Sequence, residues 1–165
     1  MAIHPSVPSM LQESLPEMLL VAKYCIEFRK NTPPWPAQGC YGYPAALLLL
    51  SIVDSIGSYV EQGNIENHFN ILNNSEYYGL NLAEVEIHTL YKNYRNLLSH
   101  NSVIATNVIL NIGSNSDLVI QKHGQLYLLN LIPFYNSSVK AVQSFLNNPQ
   151  VLVDNKTIED IQKKS

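Results

Sequence analysis

Apolar residues recur along most of this chain at the spacing of helices that bury one face. Ser14-Leu15-Pro16-Glu17 has the form of a capping box with proline in the first turn, and predicts a helix over Leu15–Lys30. Asn31 to Pro44 holds Pro33, Pro34, Pro36, Gly39 and Gly42, so it reads as a loop, with Trp35 as its anchor onto the domain. Pro44 then opens a second helix, Ala45–Val60. Most of its circumference is apolar, and its polar residues Ser51, Asp54, Ser55 and Ser58 fall at i, i+3, i+4 and i+7. That spacing puts them on one narrow stripe of an otherwise buried helix. A short helix is expected near Glu66 to Leu72.

Asn81-Leu82-Ala83-Glu84 resembles a helix start, and the helix it opens should reach Ser99. Its apolar stripe is Leu80, Ala83, Ile87, Leu90, Tyr91, Tyr94 and Leu98. The pattern then changes. Asn107–Ile112, Leu118–Lys122 and Gln125–Leu131 are short and rich in β-branched or apolar residues, with Gly113-Ser114-Asn115-Ser116-Asp117 and His123-Gly124 between them. These are strand and turn signals, and they predict a β-hairpin or a three-stranded meander at about 107–131. A last main helix, Leu131–Leu146, should turn Phe134, Ser138, Val142 and Phe145 inward, and the tail to Ser165 has room for one short helix. The fold class is therefore mainly α with a small inserted β segment, in one domain over residues 1–165.

Composition agrees with a packed domain: 46% of the residues are hydrophobic and only 14% charged, so the surface must rely on amides and hydroxyls. The net charge is −3 and there is no basic run, which argues against strong nonspecific attraction to polyphosphate but leaves room for a local grip on a nucleic acid. The first residues carry no basic stretch followed by an apolar one. The longest apolar run, Ala45 to Val53, ends at Asp54, well short of the roughly 20 residues that span a bilayer. A cytoplasmic protein with no membrane partner is the expectation. Cys25 and Cys40 could pair, but two cysteines do not make a disulfide scaffold.

The chemistry gathers at the end of the third main helix, in Tyr94-Arg95-Asn96-Leu97-Leu98-Ser99-His100. On an ideal α-helix Arg95 and His100 lie about 140° apart around the axis and about 7.5 Å along it. Asn96 would project between them, with Lys92 and Ser99 in the same sector and Tyr94 and Leu98 turned to the core. Arginine clamps phosphate well, and a neutral imidazole can move a proton near neutral pH. Together they suit phosphodiester cleavage without a metal.

Arg95-Asn96 followed by His100, closing a helix in a small helical protein, resembles the signature of the HEPN superfamily. The resemblance implies an up-down bundle of four to five helices over most of the chain, pairing into a homodimer with two motifs across a cleft. It also implies a metal-independent endoribonuclease without a cofactor, acting on RNA, with a defence or toxin–antitoxin setting and an antitoxin or other protein partner. In that reading His100 transfers the proton for attack by a ribose 2′-hydroxyl. Arg95 holds the phosphate, and Asn96 orients the phosphate or the imidazole. Some groups of the superfamily carry an acidic residue on an earlier helix, which makes Asp54 an accessory residue, with Lys92 and Ser99 beside the site. The β segment departs from the minimal bundle, and the tyrosine that some toxin members carry after the histidine is replaced by Asn101-Ser102-Val103-Ile104.

Plainer readings stand beside these. Arg95 and His100 can be a solvated helix face with a cation near its C-terminus. Asp54 can lie on the outer side of the bundle. His88, four residues after Glu84, suits a surface pair. His4, His68 and His123 are scattered and, with neither cysteine at finger spacing, make no zinc site. A non-catalytic module of the same fold, holding a nucleotide or a protein in its dimer cleft, is the rival to the nuclease.

Overall fold

A computed structural model describes residues 6–31, 38–61 and 63–148. Trp35, His4 and the expected helix in the tail lie outside those residues. In the described residues the order is α1 (Val7–Glu27), α2 (Gly42–Val60), α3 (Ile65–His68) with a 3₁₀ turn at Phe69–Asn73, and α4 (Glu84–Thr89). A π-helical segment (Leu90–Asn96) and α5 (Leu97–Asn101) continue α4; β1 (Val108–Asn111), β2 (Ile120–His123), β3 (Leu126–Asn130) and α6 (Leu131–Leu146) follow. The protein is mainly helical.

α2 is the centre. Leu49, Leu50, Ile52, Val53 and Ile56 are fully buried, and α1, α6, the 3₁₀ turn and the π segment pack around it. By length and apolar composition Gly42–Val60 could cross a bilayer, which the interrupted apolar run did not suggest. Of its most apolar window 44% is buried inside the fold, while Ser51, Asp54, Ser55 and Ser58 keep partial exposure, as do Leu47, Leu48 and Tyr59.

α1 and α4 start at other residues than the pattern predicts. α1 starts at Val7 rather than near Leu15, because Ser6 caps it: its hydroxyl accepts from the Ser9 N–H at 3.4 Å, and Pro8 sits in the first turn. Pro16 thus lies inside the helix. It is exposed, and so is Gln12, whose carbonyl loses its partner. α4 starts at Glu84, where Glu86 accepts from the Ala83 N–H at 2.9 Å, while Ala83 has no oxygen to return the bond and is exposed. Asn73 instead fixes the chain before that start, accepting from the Leu82 N–H at 2.6 Å and donating to its carbonyl at 2.8 Å.

The β segment is a three-stranded sheet, but not a meander. Its order is β1-β3-β2: β3 pairs antiparallel with β2, His123 opposite Leu126, and parallel with β1, Val108 opposite Tyr127. The chain after β1 crosses the end of the sheet, and β3 returns between the other two strands. The buried Asn130 side chain ties that crossing down. It donates to the Leu118 carbonyl at 2.8 Å and to Ser116 Oγ at 3.2 Å, and accepts from Asn111 at 2.7 Å. Gly113, at φ +75°, passes Asn130 where a Cβ would come within 2.6 Å of its Cβ.

Candidate functional site

The helix that carries Arg95 is not a regular α-helix. Its middle is wound as a π-helix over seven residues, Leu90–Asn96. Such widened turns occur mostly as short bulges, often at functional sites. Two contacts hold this one. The buried Tyr94 hydroxyl lies 3.0 Å from the Ile109 carbonyl and 2.9 Å from that of Tyr127, so it bridges β1 and β3, and the Ala105 N–H donates to the Asn93 carbonyl at 3.1 Å. Burial pushes the Tyr94 phenol up from its ordinary range, which keeps it a donor. The inserted sheet is thus a backstop for the turn that carries Arg95.

With Tyr94 fixed on the sheet, Arg95 turns toward α2. Its Nη2 donates to Asp54 Oδ2 at 2.6 Å, and its Nη1 to Asn96 Oδ1 at 3.2 Å. Asp54 therefore faces Arg95 and not the outer side of the bundle. Its second oxygen, Oδ1, is 2.8 Å from Nδ1 of His68. The three side chains are mostly enclosed, with 18% of Asp54, 20% of Arg95 and 15% of His68 still exposed. Charges enclosed to that degree persist when they are paired, as these are.

The position of His68 depends on one glycine. Gly57, one turn after Asp54 on α2, leaves no room for a side chain: a Cβ there would run into the His68 backbone carbonyl. The junction between α3 and the 3₁₀ turn lies against bare helix backbone, and His68 comes within reach of Asp54. A carboxylate only accepts, so Nδ1 must be the donor in this contact. Among the described residues Nε2 has no hydrogen-bond partner.

The expected cluster is thus divided. Asp54, Arg95 and Asn96 come together. Lys92, Ser99 and His100 are exposed, and Ser99 Oγ donates to the Asn96 carbonyl at 3.3 Å. His100 makes no hydrogen bond or ion pair among the described residues. The 140° separation of Arg95 and His100 assumed α-helical winding throughout, whereas Arg95 and Asn96 belong to the end of the π segment and α winding resumes at Leu97. Arg95 is correspondingly not on the outward face; its salt bridge is on the inner side of the turn. His88 pairs with Glu66 at 3.8 Å rather than with Glu84. His68 is the member the sequence did not suggest, since neither its spacing nor its neighbours resemble a motif.

Among the described residues no group of three or more His, Cys, Asp and Glu side chains is arranged to hold a metal ion. Cys25 and Cys40 are free thiols, and burial pushes both up from the ordinary range. Comparison with protein-family models, curated proteins and solved structures finds no match.

Proposed function

We propose that the chain is a HEPN-like, metal-independent endoribonuclease that works as a homodimer. The observation that carries this reading is the 2.6 Å link between Arg95 and Asp54, from the motif-bearing helix to the polar strip of the buried one. The link holds the motif arginine at a fixed place beside the polar strip. Arg95 keeps N–H groups beyond the two it spends on Asp54 and Asn96, and these grip a phosphate and offset the charge of the transition state. Asp54 sets the guanidinium in orientation before substrate arrives. His100, exposed and unpartnered among the described residues, takes the proton of a ribose 2′-hydroxyl.

One observation favours the rival binding module: the Asp54 carboxylate neutralises much of the charge that Arg95 would offer an anion. The two readings separate in an RNA cleavage assay with EDTA present. Wild type should cut, and His100→Ala should be slower by about 100-fold or more, the usual contribution of a proton-transfer group. No cleavage by wild type would favour the module, and equal cleavage by the two proteins would remove His100 from the chemistry.

A further inference from the structure

We propose that His68 is the second proton-transfer group of this site, the acid that protonates the leaving 5′-oxygen. The inference rests on the nuclease reading above and adds a residue and a role to it. Cleavage by a 2′-hydroxyl needs two proton movements. As the 2′-oxygen bonds to phosphorus, its proton goes to a base, here His100. As the phosphorus–O5′ bond breaks, the departing oxygen takes its electron pair and needs a proton. His100 alone cannot supply both movements in one event. The products are a 2′,3′-cyclic phosphate and a 5′-hydroxyl, and solvent returns the two histidines to their starting states.

The geometry singles out His68 for the second movement. Its Nδ1 is held 2.8 Å from Asp54 Oδ1, so the ring cannot rotate freely and Nε2 is the nitrogen left open. Asp54 also holds Arg95, the phosphate clamp, so clamp and acid share one carboxylate and move as a unit. With His68 protonated, two cations face one carboxylate, and the trio carries a net positive charge suited to a phosphodiester. Asp54 of α2 meets the ring and also carries Arg95 of the π segment; Glu66, two residues earlier on the same short helix, pairs with His88 of α4 at 3.8 Å.

The test uses an RNA that wild type cuts, made in two forms: with its normal scissile 5′-oxygen and with sulfur in its place. A thiolate leaves without a proton, so the sulfur substrate bypasses the acid. His68→Gln should cut the oxygen substrate about 100-fold more slowly than wild type and the sulfur substrate within a few-fold of it. His100→Ala should be slow on both. Should His68→Gln fail to fold, wild type alone decides. Its rate on the oxygen substrate should fall at high pH with the midpoint at which NMR sees His68 lose its proton, and that fall should vanish with sulfur. Rapid oxygen-substrate cleavage by His68→Gln, equal slowing on both substrates, or a fall unrelated to the His68 midpoint each overturns the role. All three leave the nuclease reading intact. No cleavage by wild type removes that reading and this one with it.

Discussion

Arg95 and His100 are five residues apart and occupy different physical situations, and substitution should tell them apart. Arg95→Ala strands the Asp54 carboxylate in a mostly enclosed place, with only His68 left to meet it. Breaking a buried pair this way costs several kcal/mol, and at a site that keeps some exposure about 2 kcal/mol is the reasonable expectation. For a domain of this size that lowers the melting temperature by about 4–8 °C. His100→Ala removes an exposed side chain with no partner among the described residues, so it should stay within about 0.5 kcal/mol of wild type. Thermal melting of the two variants checks this. A common melting temperature would mean that the Arg95–Asp54 contact contributes nothing.

At the scale of elements, Gly57 decides how closely α3 approaches α2. Alanine is ordinarily the better helix former by roughly 0.5–1 kcal/mol. Here its methyl would meet backbone, which cannot swing aside as a side chain can. Gly57→Ala should therefore destabilise by about 1–3 kcal/mol and separate His68 from Asp54. Calorimetry and the NMR signals of the His68 ring report the two effects, and a more stable protein would show that the junction has slack. The legibility of each element follows from where its cause lies. α6 runs Leu131–Leu146 as the pattern predicts, because its stripe and the proline in its first turn are local. Ser14-Leu15-Pro16-Glu17 misleads because a short cap motif fits inside a helix whose real cap is Ser6. The π turn and the parallel β1–β3 pairing cannot be read from local pattern: one depends on Tyr94 reaching two strands, the other on which strand returns between its neighbours. His68 likewise gains its meaning only from Asp54, fourteen residues earlier in the chain.

At the scale of the whole molecule, the chain holds an enclosed cluster, Asp54–Arg95–His68, and an exposed His100 at the end of the helix run that carries Arg95. An RNA strand engaging both needs a cleft, and a second copy is the proposed source of its other wall. Light scattering should give about twice the 18.6 kDa of the chain, and a strict monomer at high concentration would remove the composite cleft. Arg95-Asn96 and His100 carry the resemblance in the sequence, whereas the division between an enclosed Arg95 and an exposed His100 depends on the fold. The ends of the RNA products report the proposed chemistry. In EDTA, wild type should leave a 2′,3′-cyclic phosphate on one fragment and a 5′-hydroxyl on the other, and Arg95→Ala should leave the RNA whole. Fragments ending in a 3′-hydroxyl and a 5′-phosphate, or RNA untouched by wild type, would contradict it.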